Sequence, residues 1–216
     1  MPVRYPFAVP WLRLAAIGGA AAALIGALAL MATPRGDDAA GIADERTAIA
    51  LLRDLAKAEA QFAADLRIDA DGDGRGEYGY LAELAGSARL RIDAAGHIGR
   101  AAIGQPLVPP TPILGSAADN GSYVVQVFLP GNGGEWIAES AEGGGAGAAV
   151  AVDLAEQQFR AYAWPTIATA AKRAFAIDES GTVRAFANAD RRYRDRTHPV
   201  AADALDRDAA DWVPLR

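Results

Sequence analysis

Asp69, Asp71 and Asp73 stand at alternate positions in the run Ile68-Asp69-Ala70-Asp71-Gly72-Asp73-Gly74-Arg75-Gly76-Glu77-Tyr78. A calcium loop asks for carboxylates at positions 1, 3 and 5 and a glycine at position 6, because a hard cation needs oxygen donors wrapped around a sharp turn. Gly74 takes that sixth place. Arg75 follows at position 7, where a backbone carbonyl serves, and Glu77 at position 9 is placed to complete the cage. Tyr80 occupies position 12 in place of a bidentate glutamate, and Glu83 lies out of register. The candidate metal residues are therefore Asp69, Asp71, Asp73, Arg75 and Glu77, and the expected cofactor is calcium. Three carboxylates this close repel one another unless a cation or water separates them. The competing reading is a solvated acidic turn.

No other chemistry is signalled. The chain has no cysteine, which removes disulfides, thiolate catalysis and cysteine-ligated zinc together. His97 and His198 are its two histidines and read as surface residues. There is no Gly-x-Ser-x-Gly elbow, Walker loop, dinucleotide fingerprint or His-Glu-x-x-His. These absences favour a protein that is not an enzyme. The net charge of −6 argues against nucleic acid, whose phosphates need a basic face.

The elements that position the loop follow from periodicity. Leu52, Leu55, Phe62 and Leu66 recur at helical spacing, with Ala48 and Ala58 beside them, and predict an amphipathic helix from Ala43 to Leu66. Asp44 is its expected N-cap. After the loop, Arg89 to Ile92 and His97 to Ile103 read as short strands around the turn Asp93-Ala94-Ala95-Gly96. Residues Pro106 to Ile113 are extended. Ser122 to Pro130 is the clearest strand, Phe159 to Pro165 alternates, and Arg173 to Phe186 reads as a hairpin turning at Asp178-Glu179-Ser180-Gly181. Residues 187–216 read as a polar, loosely held tail.

The N-terminal part is of another kind. Leu14 to Thr33 carries no charge and, at roughly 20 residues, is long enough to cross a bilayer as a helix. Arg4 and Arg13 precede it and Arg35, then Asp37 and Asp38, follow, which places the C-terminal part outside. A cleaved signal ending near Ala27-Leu28-Ala29 is the alternative. The expected organisation is residues 1–13 cytoplasmic, 14–33 a transmembrane anchor or signal, 34–42 a breaker-rich linker, 43–186 one domain and 187–216 the tail. The expected location is the inner (cytoplasmic) membrane, single-pass, with the domain periplasmic or extracellular.

The order of these parts resembles the type IV pilins and pseudopilins. The local wording is similar in Glu45-Arg46-Thr47-Ala48-Ile49-Ala50-Leu51-Leu52-Arg53 through Gln61-Phe62, in Gly121-Ser122-Tyr123, in Tyr162-Ala163-Trp164-Pro165, and in Arg173-Ala174-Phe175 through Thr182-Val183. The prepilin processing site, Gly followed by Phe-Thr-Leu-x-Glu, is missing, and Pro34 and Gly36 interrupt the helix that pilins use for assembly. The resemblance thus implies a pilin-like domain on an ordinary anchor rather than a filament subunit. Its expected fold is α+β: an N-terminal membrane helix, then a long amphipathic helix packed on a small antiparallel sheet. Its expected partners are the membrane and other pilin-like or secretion-system proteins. The function expected is that of a structural or interaction protein with a calcium-stabilised loop; the alternative is a calcium-dependent binding module unrelated to pilins.

Overall fold

The computed structural model describes residues 36–91, 118–119, 122–140, 144–145, 150–166 and 173–216. The chain divides into two units, Met1–Ala40 and Gly41–Arg216, and both hydrophobic cores belong to the second.

Helix α1 runs from Gly36 to Ala64. Ala48, Leu52, Leu55, Ala58 and Phe62 form its buried stripe, spaced three or four residues apart as one helical face requires. Helix α2, Leu81–Leu84, and helix α3, Val152–Ala155, are single turns. Between and after them come β1 (Ala118–Asp119), β2 (Tyr123–Pro130), β3 (Trp136–Ala138), β4 (Arg160–Pro165), β5 (Ala174–Asp178) and β6 (Arg184–Phe186). A short helix α4, Ala204–Arg207, precedes β7, Trp212–Pro214. The strands make one antiparallel sheet in the order β1-β2-β4-β5-β6-β7, with β3 also paired to β2.

Alternation along the strands gives the sheet two buried faces. Tyr123, Val125, Val127 and Leu129 of β2, Ala161 and Ala163 of β4, and Phe175 and Ile177 of β5 join the α1 stripe in one core. Val124, Phe128, Tyr162, Trp164 and Phe186 point the other way, into a second core with Tyr193, Val200, Ala204 and Trp212. Glu45 pins α1 to the start of β5 by accepting from the Arg173 backbone N–H and pairing with its guanidinium at 2.8 Å.

Three expectations are corrected. The α+β fold, with a membrane helix and a long helix on a small sheet, gives way to a seven-stranded antiparallel sheet. Only one described helix exceeds a single turn, and the sheet is buried on both faces. Residues 187–216 are not a loose tail: they carry the edge strand β7 and put Tyr193, Val200, Ala204 and Trp212 into the second core. Trp164 Nε1–H donates to Asp195 O at 2.7 Å and the Tyr162 hydroxyl to Ala202 O at 3.1 Å, which lays this segment on the sheet.

The third correction concerns the membrane. Among the described residues no helix is long and apolar enough to cross one, so the transmembrane keyword and the single-pass inner-membrane location are not supported. The expected span, residues 14–33, lies outside the described residues, as does the strand expected over 97–103; of the strand expected over 89–92, residues 89–91 are described and belong to no strand. Helix α1 has the length, but Asp44, Glu45, Arg46, Arg53, Asp54 and Lys57 make it far too polar. It also starts earlier than expected, since 36–41 are helical in spite of their two glycines and paired aspartates.

Candidate cation site

The end of α1 determines where the acids go. Leu66 N–H donates to Ala63 O at 3.0 Å and Arg67 N–H to Phe62 O at 3.2 Å. This double closure needs a left-handed residue, and Leu66 takes that role with φ 49°. The chain then turns through a loop closed at its neck, where Glu77 N–H donates to Ile68 O at 2.9 Å. Ile68 is fully buried and anchors the entry. At the exit, Gly76 lies directly on α1, and a Cβ there would come 1.9 Å from Ala63 O.

Inside the loop each aspartate organises the backbone after it. Asp69 accepts from the N–H groups of Gly72 (2.9 Å) and Gly74 (3.2 Å). Asp71 accepts from Asp73 N–H at 3.2 Å and Asp73 from Arg75 N–H at 2.8 Å. Gly74, with φ 89°, supplies the left-handed turn that position six demands. As a result Asp69, Asp71 and Asp73 bring one carboxylate oxygen each within 4.8 Å of one another.

The other two expected residues are placed differently. The Arg75 side chain is exposed and lies 3.9 Å from both Asp73 and Glu156. Glu77 does not join the cluster. It is buried behind the loop, where Oε1 accepts from Ala70 N–H at 3.0 Å and Oε2 pairs with Arg91 at 2.8 Å. Glu77 therefore props the loop from inside.

The structure adds two acids that the sequence reading passed over. Asp71, Asp153 and Glu156 form a second group, again with one oxygen each within 4.8 Å of the others. Asp153 belongs to α3 and Glu156 caps it. Two backbone bonds hold this segment in place: Ala151 N–H to Pro130 O at 2.9 Å, and Tyr78 N–H, at the loop exit, to Ala155 O at 2.8 Å. The one sequence signal was the i, i+3 spacing of Asp153 and Glu156, which puts both on one face of a helical turn. Burial raises the Glu156 carboxyl above its ordinary range, and the charges of Asp73 and Asp71 add to the effect.

Behind the loop lies a buried ionic network. Arg91, its side chain 2% exposed, pairs with Glu77 and with Glu83 at 2.7 Å and donates to Tyr78 O at 2.8 Å. Glu83 accepts from Tyr80 N–H at 2.8 Å, and Glu139 from Ala82 N–H at 2.8 Å and Gly144 N–H at 2.6 Å. Glu59, from α1, accepts from Gly79 N–H at 2.8 Å. Burial holds Glu59 well above the usual carboxylate range and pushes Glu139 up to about 7. Apart from Glu59 Oε1, which meets no hydrogen-bond partner among the described residues, these groups are enclosed and committed to backbone donors or to Arg91, so they frame the loop from behind.

No protein-family model matches the chain, and neither a curated protein nor a solved structure matches it.

Proposed function

We propose that the chain is a structural or interaction protein whose Asp69–Asp73 loop takes a calcium ion as a stabilising ligand. The observation that carries this reading is the convergence of three carboxylates, two exposed and that of Asp69 half-buried, on a loop closed at its neck. The donor set fits the ion: oxygen ligands without nitrogen or sulfur suit calcium, magnesium or manganese and not zinc or copper. A loop of this size and curvature favours calcium, which tolerates irregular geometry, over magnesium, which does not. Because each aspartate already holds a backbone N–H, the carboxylates are set as a cage and not as mobile proton carriers. Likeness to pilin-like proteins rests on the local motifs between Glu45 and Val183 alone.

A ligand that binds only the folded state stabilises it by RT ln(1 + [L]/Kd). With a dissociation constant of about 10⁻⁴–10⁻³ M, as in extracellular calcium modules, 10 mM calcium should contribute on the order of 1–3 kcal/mol. The full chain is expected to melt several degrees higher in calcium than in chelator, and Asp71→Asn should abolish the difference. Equal melting temperatures for the unsubstituted chain would leave the loop a plain acidic turn.

A further inference from the structure

We infer that the cation is held between two segments, with Glu156 and Asp153 completing the coordination that the loop begins. This rests on the reading of a calcium ion in the 69–73 loop and goes beyond it by naming ligands from a distant stretch of chain. Asp71 is the hinge of the argument, because it belongs to both carboxylate groups. The second, independent observation is Glu156 itself. Its side chain is 4% exposed, and its Oε1 is buried with no hydrogen-bond partner among the described residues. A buried carboxylate oxygen without a donor costs free energy unless something positive meets it. Among the described residues the positive group beside it is the exposed Arg75 guanidinium, at 3.9 Å from the other oxygen, Oε2, too far for a hydrogen bond.

The chemistry is consistent. A calcium loop lacking the acid at its twelfth position is short of one strong, often bidentate, ligand. Here that position is Tyr80, which is fully buried and whose hydroxyl donates to Ile137 O at 3.1 Å. Glu156 supplies a carboxylate from outside the loop, and the Tyr78–Ala155 backbone bond sets the distance between the two segments. Calcium bound this way would clamp the end of α1 to the turn that follows β3 and enters β4.

The test is calorimetric titration of the full chain with calcium chloride, comparing the unsubstituted protein with Glu156→Gln, Glu156→Asp and Asp153→Asn. Glu156→Asp keeps the charge but shortens the reach. If Glu156 is a ligand, both Glu156 variants weaken binding at least tenfold, and Asp153→Asn weakens it too. Melting in chelator controls for folding: Glu156→Gln should be no less stable than the unsubstituted chain there, since it removes a repelled, orphaned carboxylate. If the unsubstituted chain binds and Glu156→Asp binds equally well, the glutamate acts only through its field; the shared site is then wrong while the loop site stands. If the unsubstituted chain takes up no calcium, both readings fall.

Discussion

Arg91→Met is expected to cost about 3–5 kcal/mol of unfolding free energy, the range for removing one partner of a buried ion pair. The side chains of Glu77 and Glu83 are 1% and 0% exposed, and Arg91 is the cation that meets both. Its removal leaves two carboxylates enclosed together, and also breaks the bond to Tyr78 O that holds the loop exit. The damage should reach the cation site, because Glu77 ties Ala70 at the start of the loop to this network. Denaturant unfolding at pH 7 reads the loss. Combining Arg91→Met with Glu77→Gln and Glu83→Gln should restore much of it, since the uncompensated charges then go. A loss below about 1 kcal/mol for the single substitution would show that the pair is not the support described.

The second large effect is on pH. Glu139 is held up to about 7 from an ordinary 4.5, chiefly by burial, with Glu83 adding to the shift and the N–H groups of Gly144 and Ala82 opposing it. A raised carboxyl binds its proton more tightly in the folded state. Its contribution is therefore complete below pH 4.5 and is lost as pH rises to about 7. That difference corresponds to roughly 3 kcal/mol. Glu59 and Glu83 are raised in the same direction, also first by burial. Asp195, Asp206 and Asp208 are lowered, so they withdraw stability only as pH falls below 3.8. Unfolding in chelator should thus be harder at pH 5 than at pH 8. Glu139→Gln, which keeps an oxygen for the two N–H donors, should flatten the slope by raising stability at pH 8. An unchanged slope in that variant would remove Glu139 as its source.

What the sequence showed of this molecule depended on how local each signal was. The spacing of Asp69, Asp71, Asp73 and Gly74 is complete within six residues, and the loop was legible for that reason. The loop pattern assigns the position of Glu77 to the ion, whereas the fold ties its carboxylate to Ala70 N–H and to Arg91, a residue fourteen positions further on. Nothing local linked Glu156 to the loop; that meeting is made by tertiary backbone bonds at Pro130 and Ala155.

The fold shows the same division. The α1 stripe was legible from Leu52 to Phe62 because helical period is a short-range property. Its start was not, since Gly36, Asp37 and Asp38 read as breakers. The two-sided sheet was hidden by alanine. Ala161 and Ala163 alternate with Tyr162 and Trp164 in β4, and alanine gives no sign whether its face is covered. The segment 187–216 read as polar because its core residues Tyr193, Val200, Ala204 and Trp212 are widely spaced. Their partners lie across the sheet, beyond the range of any periodic pattern.

The central claim is that the Asp69–Asp73 loop is a calcium site, and a crystal structure of the full chain grown in calcium chloride tests it most directly. The account predicts a single ion with oxygens of Asp69, Asp71 and Asp73 about 2.3–2.6 Å away, the calcium–oxygen range. A well-ordered loop with only water among those carboxylates, and Arg75 still against Asp73 and Glu156, would contradict it.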